Sequence, residues 1–135
     1  MKRIDVAIGI VCHQDNVLIC LRRESDRLGG HWEFPGGKAD ANEAIEACLK
    51  RELREEVDIS IEVIAALPTI DHDYPDIQVR LHPFLCAHIA EDPKALACDE
   101  VRWVQPAELR DYRFPPANKD LIESLIEKLT PVQPR

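Results

Sequence analysis

Six residues past Gly37 stands Glu43, and eight further on begins the run Arg51-Glu52-Leu53-Arg54-Glu55-Glu56. A glycine-led loop that runs into a helix dense with carboxylates suits hard divalent cations, which take oxygen ligands. The chain carries a formal net charge of −8. In such a chain, bound cations are the means of holding a phosphorylated substrate and of activating water against it.

The helix must aim these acids. Asp40 is the expected N-cap, with Glu43 three residues on completing a capping box. At roughly 100° per residue, Ile45, Leu49, Leu53 and Val57 form an apolar stripe. Glu52 and Glu56 lie one turn apart, about 40° around the axis, at the edge of that stripe, and Glu55 lies on the outer side of Glu52. One reading is a solvated charged face in which Lys50, Arg51 and Arg54 pair with nearby acids. The other starts from carboxylates where apolar residues belong. These need a compensating charge, and a cation supplies it.

Around this helix the pattern predicts strands. Residues 4–12 and 17–22 form a hairpin turning at Asp15-Asn16. Residues 24–31 form a loop, and Trp32-Glu33-Phe34 is a short extended piece ended by Pro35-Gly36-Gly37. Strands follow at 59–67, 77–90 and 100–104, with Pro83 marking a bulge or an edge, and Asp71-His72-Asp73 reads as a polar loop. Pro106 opens a short helix. Leu121, Ile122, Leu125, Ile126 and Leu129 line a terminal amphipathic helix stopped by Pro131. The fold class expected is α/β (α+β), a sheet covered on both faces, in a single domain over residues 1–135.

The acidic balance argues against a nucleic acid polymer as partner, since that binding rests on phosphate neutralisation. It leaves a small nucleotide open, because metals bring positive charge. With 45% hydrophobic and 31% charged residues, the chain is expected to be globular, and no apolar run is long enough to span a membrane. Five cysteines without a Cys-x-x-Cys pair point to free thiols and a cytoplasmic location. The five histidines have no metal-ligand spacing. Monomer and homodimer are both compatible with the sequence.

The acidic segment resembles the Nudix box, Gly-x5-Glu-x7-Arg-Glu-U-x-Glu-Glu-x-Gly-U with U aliphatic. It holds every fixed position except the last glycine, where Asp58 stands. The likeness extends to WEFPGGK at 32–38, Leu21-Arg22-Arg23, Tyr74-Pro75-Asp76 and FPPANKDLIESL at 114–125, which are similar to MutT-like Nudix hydrolases of the 8-oxo-dGTP diphosphatase type. The resemblance implies the Nudix fold, a mixed β-sheet sandwiched between helices. It also implies Mg²⁺-dependent (or Mn²⁺-dependent) hydrolysis of a nucleoside triphosphate to the monophosphate and pyrophosphate. By the same resemblance Glu52 and Glu56 are the main metal ligands, helped by Glu55 and by the carbonyl of Gly37 or Gly36. Arg51 positions the acids, Glu43 braces the loop, and Arg23, Phe34 and Asn118 form the base pocket.

Two of these assignments have a second reading. Glu43 is also an acid favoured at a helix N-terminus. Asn118 is also a helix cap, although its amide suits a purine edge. A further catalytic glutamate is implied about six residues before Trp103, where Ala97 stands; Asp99 and Glu100 are the nearest acids. The alternatives to an 8-oxo-dGTP diphosphatase are a Nudix pyrophosphohydrolase for CTP, another (d)NTP or ADP-ribose, and a non-catalytic nucleotide-binding module.

Overall fold

The structure, a computed structural model, describes residues 2–129. Its strands are β1 (Arg3–His13), β2 (Asn16–Leu21), β3 (Trp32–Glu33), β4 (Gly36–Lys38), β5 (Ser60–Ala66), β6 (Ile70–Tyr74), β7 (Ile77–Ala90) and β8 (Glu100–Val104). The helices are α1 (Ile45–Val57) and α2 (Lys119–Leu129), with 3-10 turns at Pro106–Asp111 and Pro116–Asn118.

Successive side chains of β1 point to opposite faces, and the sequence loads both faces with apolar residues. Ala7 and Val11 enter a core with Leu49, Leu53 and Val57 of α1. Ile8 and Ile10 enter a second core with Leu121, Ile122, Leu125 and Ile126 of α2. The result is one mixed sheet between helices. β1 runs parallel to β7 from Arg3↔Gln78 to Cys12↔Ala87. Along the other edge of β1 lie β4, at Val6↔Lys38 to Ile8↔Gly36, and the start of β2. β2 continues into antiparallel pairs with β3 and β8, and β5 and β6 share the outer edge of β7. No described helix is long and apolar enough to cross a membrane.

Five local expectations need correction. Asp40 is not the N-cap of α1, which starts at Ile45 after Ala44. Its N–H instead donates to Glu43 Oε1 at 3.0 Å, so half of the capping box closes a turn ahead of the helix. Asp71-His72-Asp73 is strand, not loop: β6 pairs with β7 from Ile70↔Leu81 to Tyr74↔Ile77, and the pairing overrides weak local propensity. Gly36-Gly37 is also strand, paired with Ile8 and Ala7 of β1, where a Cβ at Gly36 would overlap the Ala7 carbonyl. The first hairpin turns at Gln14, whose φ is 56°, leaving Asn16 in β2. Pro83 lies inside β7 opposite Ile8. The outer neighbour of β7 changes there from β6 to β5, so the missing N–H falls in the gap and the Pro83 carbonyl accepts from Leu67 N–H at 2.9 Å. Pro131 lies outside the described residues.

Candidate active site

Glycine backbone brings α1 down onto the sheet. A Cβ at Gly9 of β1 would stand 3.3 Å from Leu53 Cδ1 and 3.4 Å from Leu49 Cδ1, and a Cβ at Gly37 would overlap the Glu52 carboxyl. A Cβ at Gly36 would overlap the Ala7 carbonyl. The helix closes at Asp58 with φ 56° and ψ 47°, the left-handed cap expected from the glycine it replaces. Asp tolerates that conformation, and its carboxylate accepts from Arg54 Nη1 at 3.2 Å.

Arg51 is the hub of the acidic face. Its guanidinium donates to both Glu43 oxygens at 2.8 Å, to Glu52 Oε1 at 2.9 Å and to Glu55 Oε2 at 3.2 Å. The Arg51 bonds and the Asp40 N–H hold the Glu43 carboxyl down to about 2. Glu43 precedes the helix, which starts at Ile45. It shares Arg51 with Glu52 and ties the loop of residues 38–43 to α1.

Glu56 is the most perturbed carboxyl. Burial, then the nearby charges of Glu33 and Glu52, push it up to about 8, against a Gly36 N–H bond at 3.4 Å that favours the anion. Burial also raises Glu52, against the pull of Arg51. Glu55 is 58% exposed on the outer side. The two glycine carbonyls differ. Gly37 O accepts the Cys48 thiol at 3.5 Å. The bond from Gly9 N–H to Pro35 O at 2.8 Å makes Ile8↔Gly36 a non-hydrogen-bonded pair, whose N–H and C=O both point away from β1. The Gly36 carbonyl therefore shares the side on which its N–H meets Glu56. Of the expected pair, Gly36 is the one whose carbonyl faces the acids.

Glu33 was missed by sequence reasoning. It pairs with Arg22 at 2.6 Å, and burial raises its carboxyl. Its neighbours Trp32 and Phe34 belong to the α2-side core, so alternation alone assigns Glu33 to the α1 side, beside Glu56. That was the available signal.

Beside Glu33 lies a cavity of about 330 Å³, walled by Phe34, Tyr74, Leu81 and Asn118 among others. Asn118 is 8% exposed, and its side-chain amide has no partner among the described residues. Its place at the end of the Pro116–Asn118 turn leaves the amide to the cavity instead of the helix end. Phe34 lines the same cavity and packs on Phe114 with ring centroids 5.1 Å apart. Arg23 is turned elsewhere, its Nη2 donating to Leu96 O at 2.9 Å; Arg22 and Arg27 reach the cavity in its place. Arg27 lies over the Tyr74 ring, 4.1 Å from the centroid. Another hollow, of about 560 Å³, opens near Arg3, Lys38 and His82 and is lined by Glu43 but not by Glu56. Near Trp103, Glu100 is held by Arg102, Asp99 is exposed, and the Ala97 N–H caps the Glu56 carbonyl at 3.3 Å.

The NUDIX domain model matches residues 6–124. An 8-oxo-dGTP diphosphatase of Proteus vulgaris is 42% identical over 85 residues, 62% of this chain and 76% of that protein. A CTP pyrophosphohydrolase of Escherichia coli is 29% identical over 93% of each chain. A solved MutT structure, from Aliivibrio salmonicida and Vibrio cholerae, superposes with a TM-score of 0.74 at 32% identity, covering 94% of this chain and 99% of that one.

Proposed function

Because the chain belongs to the Nudix family and is a Nudix pyrophosphohydrolase, we propose that its substrate is 8-oxo-dGTP, cleaved with Mg²⁺ to the monophosphate and pyrophosphate. Such a reaction removes an oxidised purine nucleotide before polymerases use it. The observation that carries the reading is the pair of half-buried carboxylates, Glu52 and Glu56, joined through the charge of Glu33 to a cavity that Glu33 lines together with an open Asn118 amide.

The donor set fits a magnesium ion. Among the described residues no three His, Cys, Asp or Glu side chains converge on one point. Mg²⁺ is commonly held by one or two carboxylates while substrate phosphates and water fill its other positions. Glu52, Glu56 and the Gly36 carbonyl would hold it, with Glu55 at the rim. Burial holds Glu52 and Glu56 toward the protonated form, and the charges of Glu33 and then Glu52 add to it at Glu56, a cost that a divalent charge would remove. When bound, such an ion would supply positive charge against the phosphates and would acidify water.

The chain's own residues do the rest. Arg51 fixes Glu52 and Glu55 through charged hydrogen bonds, and Glu43 fixes Arg51. Phe34 gives the base an apolar face. Asn118 supplies a donor and an acceptor to the purine edge, and buried polar groups of this kind discriminate strongly, because a wrong base leaves them unpaired. The similarity to a CTP pyrophosphohydrolase supports a second reading, in which the base is a pyrimidine.

The test is a nucleotide panel, 8-oxo-dGTP, dGTP, CTP and ADP-ribose, with Mg²⁺ and with chelator. The proposal expects pyrophosphate and the highest kcat/KM from 8-oxo-dGTP, and no turnover with chelator. Preference for CTP would establish the second reading, and binding without turnover would make the chain a nucleotide-binding module.

A further inference from the structure

Two arginines line the cavity that holds Phe34 and Asn118, and they are not equivalent. Arg22 is spent: its Nη1 pairs with Glu33 at 2.6 Å and its Nε donates to the Arg27 carbonyl at 2.6 Å. The Arg27 guanidinium makes no ion pair or hydrogen bond among the described residues. It lies instead over the Tyr74 ring, 4.1 Å from the centroid. Attraction to a ring face uses the cation and none of the five N–H groups, so all five stay open to an acceptor.

Both partners in this contact are held from behind. Between β2 and β3 the chain closes on itself, with Asp26 N–H on Arg23 O at 2.9 Å, Gly29 N–H on Asp26 O at 3.0 Å and His31 N–H on Leu28 O at 3.1 Å. Leu28, the residue after Arg27, takes φ 59°, and the Arg22 bond fixes the Arg27 carbonyl. Tyr74 stands at the turn of the β6–β7 hairpin, paired with Ile77, and the His72 ring packs on it with centroids 4.6 Å apart. Two elements distant in sequence thus meet at one cavity.

We propose that Arg27 is a specificity-determining residue that donates to a carbonyl oxygen of the bound base, with Tyr74 as the platform that aims it. The inference rests on the reading of this cavity as the base pocket. None of Glu52, Glu55 and Glu56 lines it, so the base faces Arg27 while the phosphates belong with the acids. A guanidinium carries donors only. It favours an oxo group at the base edge and opposes an amino group, where donor would meet donor. The Asn118 amide holds one acceptor and one donor group, which a half-turn interchanges. Asn118 therefore meets either kind of edge, and the choice between them falls to Arg27. In 8-oxoguanine that edge carries an oxo group where 8-oxoadenine carries an amino group.

The experiment measures binding and turnover separately on the full-length protein. Calorimetry with chelator follows 8-oxo-dGMP, 8-oxo-dAMP and the nucleoside 8-oxo-2′-deoxyguanosine; pyrophosphate release with Mg²⁺ follows 8-oxo-dGTP and 8-oxo-dATP. Arg27→Met keeps the length of the stem and removes the donors. It is expected to lower kcat/KM for 8-oxo-dGTP by about tenfold to a hundredfold, the worth of one hydrogen bond from a charged donor. Kcat should fall much less, and the preference over 8-oxo-dATP should fall by a similar factor. Tyr74→Phe keeps the ring and should keep the preference, whereas Tyr74→Leu should reduce it. Arg27 is exposed, so Arg27→Met is expected to fold and to bind Mn²⁺ as wild type does. A preference that survives Arg27→Met overturns the assignment. So does weaker binding of 8-oxo-dGMP with unchanged binding of the nucleoside, which would put Arg27 on the phosphate, and so does an equal loss of Mn²⁺ affinity, which would make its role structural. Wild type that binds the two monophosphates equally overturns the base-pocket reading itself, so the two failures are told apart.

Discussion

Replacing Glu56 by Gln should change how the metal-free protein's stability depends on pH. In the fold the Glu56 carboxyl is pushed up from the ordinary 4.5 to about 8, so the folded chain keeps a proton that the unfolded chain has released. A folded value raised above the unfolded one gives stability that is complete below about pH 4.5. It is lost as pH rises toward about 8, because the native state there binds more protons than the unfolded state. Each tenfold in proton affinity is worth about 1.4 kcal/mol, which sets an upper limit of about 5 kcal/mol for this carboxyl. Water reaching a half-buried site lowers that to a few kcal/mol. Glutamine keeps the shape and has no charge to desolvate. Guanidinium unfolding with chelator, followed across that pH range, should show wild type falling behind Glu56→Gln as pH rises, with the two alike at the acid end. A divalent ion should narrow or reverse the alkaline difference. Parallel stability curves for the two proteins, with chelator present, would refute the burial argument.

Other outcomes follow from the same geometry. Gly37→Ala should abolish turnover while the protein still folds, since the added methyl occupies the Glu52 carboxyl's place; normal kcat in this variant, measured by pyrophosphate release, would contradict the close approach. Asn118→Ala should lower kcat/KM for 8-oxo-dGTP by about tenfold to a hundredfold, the cost of one lost buried hydrogen bond at about 1–3 kcal/mol, and should lower kcat much less. Asp58→Gly should shift stability by less than about 1 kcal/mol, because relief of the left-handed backbone is offset by the exposed Arg54 bond; Asp58→Val, β-branched at positive φ, should cost more than about 1 kcal/mol in thermal unfolding.

Much of this site was legible in the sequence because its signals are local. The stripe of Leu49, Leu53 and Val57 and the acids at its edge are fixed by helix period. Residue type alone did not show that the Asn118 amide makes no cap bond; tertiary packing turns it to the cavity. What was not legible depends on pairing between distant segments. Asp71-His72-Asp73 becomes strand only because β7 is long enough to pair with β5 and β6 in turn. Gly36 and Gly37 differ because the β1 ladder turns the Gly36 carbonyl away from the strand, while the Gly37 carbonyl accepts the Cys48 thiol. Arg23 turns from the cavity because Leu96, far along the chain, supplies the carbonyl it takes, and Arg22 and Arg27 line the cavity. Glu33 joins Glu56 across elements that the sequence separates by more than twenty residues.

The central claim is that Glu52 and Glu56 share one divalent ion, and Mn²⁺ tests it most directly, because the signal of the free ion in electron paramagnetic resonance disappears on binding. Titration of Mn²⁺ into the wild-type protein near neutral pH should show binding with release of protons as Glu56 ionises. Glu56→Gln and Glu52→Gln should each weaken it strongly. Equal Mn²⁺ affinity in wild type and in both correctly folded variants, with no proton release, would contradict the account.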